Sequence, residues 1–197
     1  MKILRILAWA MVAAVIGLVG LSWLGFNPLK ERAAAIADIG GPFTLASTRG
    51  GSLESKTLAG RPFAIFFGFT HCPEVCPTTL YDMSSMGEKL GDEAKDFRVF
   101  FVTVDPERDT VDTLKDYVSN FDPRIEGLVP TPEQLPKLAS DFRIYYAKVP
   151  TSDGSYTMDH TALVFLMDRD GRFAGTIAFE EAAEMREAKL RKLLAGG

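Results

Sequence analysis

Cysteine and histidine are both scarce in this chain. Its 197 residues include only two cysteines, Cys72 and Cys76, and two histidines. Any disulfide within the chain must therefore join these two cysteines, and any thiolate metal site must use the same pair. An apolar run from Phe63 to Phe69 leads directly into them. A thiol pair at the end of a buried strand predicts a redox site or a metal site.

The chain also lacks any concentration of positive charge. Its net charge is −4, its pI is near 5.3, and no cluster of lysine or arginine interrupts the pattern. A protein that binds nucleic acid needs a basic surface for the phosphates, so the composition argues against nucleic acid as a partner. The sequence contains no internal repeat and no low-complexity segment. Its length fits one ordinary domain with an appendage.

The appendage is an N-terminal stretch without charged residues. Residues 6–26 contain no Asp, Glu, Lys or Arg, and this length predicts one transmembrane helix across a hydrocarbon core of roughly 30 Å. Lys2 and Arg5 precede the stretch, so the positive-inside rule keeps the N-terminus in the cytoplasm and exports the rest. The alternative is a signal peptide cleaved between Ala33 and Ala37. That position lies well past the apolar run, so we favour an uncleaved anchor.

These features predict four segments along the chain. They are a cytoplasmic N-terminus (1–5), a transmembrane anchor (6–26), a tether (27–40) and an exported domain (41–197). The predicted location is the inner (cytoplasmic) membrane, crossed once, with the soluble domain on the periplasmic or equivalent exported side. In that compartment the two cysteines can be oxidised, so their reduced form needs an upkeep system.

The exported part alternates between strand and helix patterns. The predicted elements are a hairpin around Gly50-Gly51, strand 62–69, helix 77–90, strand 98–104, helix 110–121 capped by Asp109 or Thr110, a helix that starts with a capping box at 131–134, strand 144–149, a polar turn at 151–156, strands 162–167 and 172–178, and helix 180–194. This order predicts an α/β fold with a mixed central sheet, flanking helices and an N-terminal hairpin. Because the thiols directly follow the first core strand, we predict a thioredoxin-like fold.

Prolines shape the predicted thiol loop. Pro73 and Pro77 each follow a cysteine, and the residue before a proline favours extended backbone. The sequence therefore predicts an irregular loop from Cys72 to Cys76 and a helix that begins at Pro77. Cys76 would lie near the N-cap, where the helix dipole favours thiolate. Such a pair suits Cu(I) best and Zn(II) second, and it can also form a disulfide. A purely structural disulfide in so short a loop would stabilise the fold only weakly.

A site that also holds Cu(II) favours nitrogen donors. His160 precedes the predicted strand 162–167, in a turn that faces the thiol loop of a thioredoxin-like sheet, so it is the predicted third ligand. His71 adjoins Cys72, and neighbouring side chains of an extended loop point apart, which makes it the poorer candidate. Asp109 either contributes to an acidic rim that supports the site from outside the ligands, or belongs to a helix-start loop with an internal Arg–carboxylate pair. The residues leave both roles open.

Three segments of this chain, taken in order, resemble the Sco/SenC family of copper-handling proteins that help to assemble cytochrome c oxidase. They are 68–80 (GFTHCPEVCPTTL), 104–110 (VDPERDT) and Asp159-His160. The resemblance extends from about residue 40 to 175, together with the anchor. It implies a thioredoxin-like domain that binds copper, as Cu(I) and Cu(II), through Cys72, Cys76 and His160. It also implies that the partner is the copper-bearing subunit of the oxidase, whose CuA centre receives copper or has its cysteines reduced.

Three functions are compatible with these residues. We favour a membrane-anchored metallochaperone, which is not an enzyme in the usual sense and whose further partners are copper donors or thiol reductants. The alternative is a thiol–disulfide oxidoreductase that keeps the cysteines of the oxidase copper site reduced. Thioredoxins resemble this chain but carry a proline just before the strand that faces their active site, where this chain has His160. A thiol peroxidase ranks last, because a cysteine pair with a distant histidine is better explained by a metal.

Overall fold

A computed structural model describes residues 2–23 and 39–196 of the chain. The chain forms two compact units that divide between Ala37 and Asp38. The first unit contains helix α1, Lys2–Trp23. Among the described residues, no helix is both long enough and apolar enough to cross a membrane. The anchor over 6–26 and the tether over 27–40 stay predictions, and residues 24–38 lie outside the described part of the chain.

The second unit, within residues 39–196, contains two sheets and four α-helices. The strands are β1 (Thr44–Ser47), β2 (Ser52–Glu54), β3 (Phe63–Gly68), β4 (Arg98–Thr103), β5 (Ile125–Val129), β6 (Tyr146–Pro150), β7 (Tyr156–His160), β8 (Leu163–Met167) and β9 (Phe173–Ala178). The helices are α2 (Val75–Leu90), α3 (Val111–Val118), α4 (Leu135–Phe142) and α5 (Ala183–Leu194). The alternation of strands and helices is the predicted α/β pattern.

The larger sheet is mixed, as the sequence predicts. Its strand order is β2-β1-β5-β4-β3-β8-β9. Strands β3, β4 and β5 run parallel, whereas β1, β2, β8 and β9 pair antiparallel with their neighbours. The predicted N-terminal hairpin is β1–β2, and the predicted hairpin before the last helix is β8–β9. This is a mixed α/β arrangement of the thioredoxin-like kind, and it brings the carboxyl ends of β3 and β4 to one edge, where loops carry functional groups.

Strand β3 is the centre of the core. All of its residues are buried, which explains why its sequence is a continuous apolar run. Neighbouring side chains point to opposite faces of the sheet. On one face Phe66 packs against Phe101, with ring centroids 5.8 Å apart. On the other face Phe67 packs against Phe142 of α4 at 5.2 Å. Phe101 lies on β4, and its ring packs in turn against Tyr117 of α3 at 5.6 Å. Helices therefore cover both faces, and β3 presents a rigid end to the thiol loop.

The central strand β5 is not predicted by the sequence pattern. Its run is interrupted by Glu126 and Gly127, which local patterning does not favour in a buried strand. Glu126 is nevertheless only 3% exposed. Its carboxylate accepts a hydrogen bond from Ser47 on β1 and pairs with Arg98 on β4. The neighbouring strands thus supply partners for the buried Glu126 carboxylate. Because these partners are distant in sequence, the local pattern around Glu126 does not predict a strand.

The helix boundaries differ from the predictions for local reasons. Thr110 caps α3 as predicted, because its Oγ1 accepts the Thr113 N–H at 3.1 Å, although α3 ends at Val118. The Thr131–Gln134 capping pair also forms, but α4 begins only at Leu135. Helix α5 begins at Ala183 rather than residue 180, since Glu180 has a φ of 61°, which is left-handed.

The polar turn predicted at 151–156 is shorter than expected. Strand β7 begins at Tyr156 and runs to His160, so His160 is the last residue of a strand rather than part of a turn. β7 pairs antiparallel with β6, and Tyr146 lies opposite His160. Within the described residues this two-stranded sheet is separate from the larger one.

Candidate metal centre

Two cysteines four positions apart and a histidine 84 positions beyond the second of them meet near the carboxyl end of β3. Within the described residues, the ligand atoms of Cys72, Cys76 and His160 all lie within 4.8 Å of one another. The Cys76 Sγ lies 3.6 Å from the His160 Nε2, and the Cys72 Sγ accepts the Cys76 backbone N–H at 3.4 Å. Both cysteines are free thiols. The structure thus brings together the three residues that the sequence singles out.

Helix α2 begins two residues earlier than predicted. It starts at Val75, with Glu74 as the N-cap, so Cys76 lies within the first helical turn and not in an irregular loop. The prediction places Pro77 at the start of the helix because a proline inside a helix removes a hydrogen bond. The first N–H groups of a helix have no partner within the helix, so a proline there removes no hydrogen bond. The helix accommodates Pro77, and the Thr78 N–H donates to the Glu74 carbonyl at 3.1 Å.

Gly68 provides the space that Cys76 occupies. A Cβ at position 68 would lie 2.6 Å from the Cys76 Sγ and 2.6 Å from the Phe101 ring. Any side chain here would displace the thiol or the neighbouring strand. The sequence motif contains Gly68, but only the packing shows this role. The end of β3 must therefore lack a side chain for Cys76 to lie against the core.

The two thiols differ in burial and in protonation. Cys76 is fully buried, whereas Cys72 is partly exposed. A hydrogen bond from the Cys76 side chain is the main reason that the pKa of Cys72 falls to about 4, and His160 contributes in the same direction, against the effect of burial. The same hydrogen bond and burial raise the pKa of Cys76 well above that of an ordinary thiol. The pair therefore holds one thiolate, at Cys72, and one thiol.

His160 is oriented by its surroundings. Its ring packs edge-on against Phe69 at 5.7 Å and Phe66 at 6.2 Å between ring centroids. Its Nδ1 lies 3.2 Å from the Thr161 carbonyl oxygen. Because a carbonyl oxygen can only accept, Nδ1 is the donor in this contact, and Nε2 is the ring nitrogen that faces Cys76. An imidazole held in this way is ready to act as a ligand.

Asp109 anchors the segment that precedes Cys72. It is fully buried, and its carboxylate accepts the Thr70 N–H at 2.9 Å, the Thr70 hydroxyl at 2.6 Å and the Thr103 hydroxyl at 2.6 Å. Of the two possibilities that the sequence leaves open, the loop does contain an internal Arg–carboxylate pair, which joins Arg108 to Asp105. Asp109 takes no part in that pair and does not lie on an exposed rim. It instead fixes the backbone two residues before Cys72.

His71 does not belong to the three-residue cluster of the described chain. Its Nδ1 lies 3.1 Å from the Thr70 hydroxyl and 3.8 Å from Asp109, and its side chain is 56% exposed. That His71 is the poorer ligand candidate stays a prediction. Thr70 and Thr103, whose hydroxyls donate to Asp109, are not among the predicted site residues. The only signal for them is a threonine at the end of each buried strand.

The donor set is suited to a soft metal ion. Two cysteine sulfurs and one imidazole nitrogen match the preferences of Cu(I), and the nitrogen also suits Cu(II). The partly exposed Cys72 and His160 leave one side of the cluster open to solvent. The same cluster can perform thiol chemistry, because a thiolate and a second thiol lie side by side.

This chain is similar to proteins of one described family. A family model described as SCO1/SenC matches residues 31–195. The "Protein SCO1 homolog 1, mitochondrial" of Arabidopsis thaliana is 38% identical over 141 residues, which are 71% of this chain and 42% of that protein. The "Protein SCO1 homolog, mitochondrial" of Homo sapiens is 36% identical over 171 residues, 80% of this chain and 57% of that protein. The chain thus spans less than two thirds of either relative.

Solved structures are similar over about four fifths of the chain. The structure of Bradyrhizobium japonicum ScoI with copper bound is 48% identical, with a TM-score of 0.73, and the match covers 79% of this chain and 99% of that chain. The structure of yeast Sco1 with copper bound is 29% identical, with a TM-score of 0.74, and covers 81% of this chain and 90% of that chain.

Proposed function

This chain belongs to the SCO1/SenC family, and on that premise we propose that it binds copper reversibly and passes the ion to a partner protein. The observation that carries the proposal is the convergence of Cys72, Cys76 and His160 to within 4.8 Å. The copper-bound structure of the similar Bradyrhizobium japonicum ScoI supports copper as the cargo. The family resemblance implies that the receiving partner is the copper-bearing subunit of cytochrome c oxidase.

The burial and protonation of the three ligands indicate the order in which copper binds to them and leaves. Cys72 is the accessible ligand and already a thiolate, so it is the first group that an incoming copper ion meets. Cys76 must lose its proton to become the second ligand, and His160 offers its Nε2 lone pair as the third. An incoming partner ligand reaches the ion from the open side, and the three ligands leave by exchange. Copper is the cargo of this cycle, and the chain returns to its starting state.

A copper titration of the full-length chain, purified in detergent with its thiols reduced, tests the proposal. We expect one copper ion per chain for Cu(I), and a thiolate-to-metal absorption band on addition of Cu(II). Cys72→Ser and Cys76→Ser should each abolish stable binding. The wild-type protein with both thiols reduced should retain its copper through gel filtration, and failure to do so would exclude the proposed function.

A second candidate function rests on the unequal burial of the two thiols. Cys72 is a partly exposed thiolate, and Cys76 is a buried thiol beside it. In this scheme Cys72 attacks a disulfide of the partner, forms a mixed disulfide and releases one partner thiolate. Cys76 then loses its proton and attacks Cys72. The products are a Cys72–Cys76 disulfide and a reduced partner dithiol, so two electrons pass to the partner. An exported dithiol reductant resets the pair.

An insulin-reduction assay of metal-free protein distinguishes the two functions. Rapid turnover with dithiothreitol as the reductant would favour the oxidoreductase. Slow turnover together with tight copper binding would favour the copper carrier. The Cys76→Ser variant is informative for both functions, because it should lose copper and, when mixed with insulin without dithiothreitol, should stop at a mixed disulfide through Cys72.

Membrane attachment is a further part of the proposal. It is supported by the uncharged stretch 6–26, which follows Lys2 and Arg5 in the sequence, and by the predicted export of the domain. Alkaline carbonate extraction of membranes from expressing cells tests it. The chain should stay in the membrane pellet, and a variant that lacks residues 1–26 should not.

A further inference from the structure

The hairpin that carries His160 depends on contacts outside the main sheet. Strands β6 and β7 form a two-stranded sheet, in which Tyr156 and His160 stand at opposite ends of β7. An isolated pair of strands is only marginally stable. Because Tyr156 and His160 belong to one short strand, about 13 Å long at its normal rise, whatever fixes Tyr156 also fixes the direction of His160.

Arg108 holds Tyr156 through two direct contacts and through a third that runs by way of Asp105. Its guanidinium carbon lies 3.7 Å from the centre of the Tyr156 ring, and its Nη1 donates to the Tyr156 carbonyl at 2.9 Å. Its Nε pairs with Asp105, and the Tyr156 hydroxyl donates to the same carboxylate at 3.0 Å. We name Arg108, Tyr156 and Asp105 the hairpin clamp. The clamp engages the backbone, the ring face and the hydroxyl of one residue.

The loop that supplies the clamp also holds the thiols. Arg108 is followed by Asp109, whose carboxylate fixes Thr70 just before Cys72. One short loop, residues 105–109, therefore contacts the cysteine segment on one side and the histidine hairpin on the other. This loop therefore helps to set the distance between the cysteine sulfurs and the His160 nitrogen at the metal centre.

We propose that Arg108 is a positioning residue of the metal centre, which sets the distance from His160 to the two sulfurs through the hairpin clamp. This inference rests on the proposed function. Two thiolates suffice for Cu(I), whereas Cu(II) depends more on the nitrogen donor. Loosening the clamp should therefore weaken Cu(II) binding much more than Cu(I) binding. In this way the clamp determines which oxidation state the site retains.

The substitution Arg108→Lys provides the main test. Lysine retains the positive charge beside the buried Asp105, but it cannot reproduce the planar donor geometry or the stacking on Tyr156. We expect the dissociation constant of Cu(II) to rise roughly tenfold, in the range typical of groups that orient metal ligands. The Cu(I) constant, measured by competition with a Cu(I) chelator, should stay close to that of the wild type. The thiolate-to-Cu(II) absorption band should also shift.

Two further variants make the test specific. Tyr156→Phe removes only the hydroxyl bond to Asp105 and retains the ring and the carbonyl, so we expect a smaller effect, roughly threefold on Cu(II). Arg124→Lys is the matched control, since Arg124 is as exposed as Arg108 (22% against 21%) and its carboxylate partner is Asp122. The control should leave both copper constants and the absorption band unchanged.

Each outcome decides the matter. Selective loss of Cu(II) affinity in Arg108→Lys, with a lesser loss in Tyr156→Phe, supports the clamp. Unchanged constants, or equal changes for Cu(I) and Cu(II), overturn it even if the variant is less stable to heat. If Arg108→Lys fails to fold, the Tyr156→Phe measurement decides by the same criterion. A wild-type chain that binds neither ion would overturn the proposed function instead.

Discussion

The Sγ of Cys76 and the Nε2 of His160 lie 3.6 Å apart although 84 positions separate them in the chain. Cys76 comes from the first turn of α2, and His160 from the end of a hairpin outside the main sheet. Each of these two elements is positioned by its own contacts with the rest of the domain. The approach of sulfur to nitrogen therefore depends on the whole fold, and variants at either end should reveal which donor each copper oxidation state requires.

His160→Ala should weaken Cu(II) binding by at least about tenfold, while Cu(I) binding falls less. The reason is that Cu(II) favours the imidazole nitrogen, whereas two thiolates already satisfy Cu(I). Competition titrations in both oxidation states measure the difference. His71→Ala is the matched control, because His71 is exposed and lies outside the cluster. If His160→Ala titrated like the wild type in both states, the third ligand would be wrong.

Gly68→Ala should destabilise the domain by about 1–3 kcal/mol, as overpacking of a core does. The new Cβ would overlap the Cys76 Sγ and the Phe101 ring, both of which are held by neighbouring elements. Urea unfolding of the metal-free protein measures the loss, and copper affinity should fall with it. Gly17→Ala serves as the control, since a Cβ at position 17 would meet no heavy atom within 4 Å.

Local sequence signals predict the parts of this fold that a single segment determines. β3 and β4 are continuous apolar runs, and Thr110 is a local cap, so each is visible in a few residues. β5 is not, because the charge of Glu126 is satisfied by Arg98 on another strand. Pairing over long sequence distances is invisible to a pattern read along the chain.

The same distinction applies to the candidate site, whose ligands are predicted from the sequence and whose supporting residues are not. Cys72, Cys76 and His160 could be selected from the sequence because the chain has so few thiols and imidazoles. The space provided by Gly68 and the support that Arg108 gives to the hairpin could not, since both depend on contacts between distant elements. Scarcity of a residue type identifies candidate ligands, whereas packing identifies what positions them.

Asp109→Asn should loosen the thiol loop. The buried carboxylate accepts three hydrogen bonds, from the Thr70 N–H, the Thr70 hydroxyl and the Thr103 hydroxyl. An amide offers one oxygen, so at least one of these donors loses its acceptor, at a cost of about 1–3 kcal/mol. Thermal unfolding of the metal-free protein measures this. Asp112→Asn, at an exposed position nearby in the chain, should have little effect, and equal stability of both variants would argue against the role of Asp109.

The lowered pKa of Cys72 predicts how its reactivity depends on pH. With a pKa of about 4, Cys72 is a thiolate throughout the neutral range, so alkylation of metal-free, reduced protein by iodoacetamide should proceed at a nearly constant rate from pH 8 down to about pH 5.5 and slow only below that. An ordinary thiol would lose most of its reactivity over the same interval. Mass spectrometry should find the label on Cys72 and not on the buried Cys76.

Comparing Cys76→Ser with Cys76→Ala shows whether Cys76 or His160 is the main cause of the low Cys72 pKa. The hydrogen bond from the Cys76 side chain is the largest contribution, and a serine hydroxyl can donate a similar bond, whereas alanine cannot. The Cys72 pKa should therefore stay low in Cys76→Ser and rise toward that of an ordinary thiol in Cys76→Ala. The midpoint of the alkylation profile should move to higher pH in the alanine variant alone. If both variants kept the wild-type midpoint, the neighbouring His160, which also lowers the Cys72 pKa, would be the dominant partner of the thiolate.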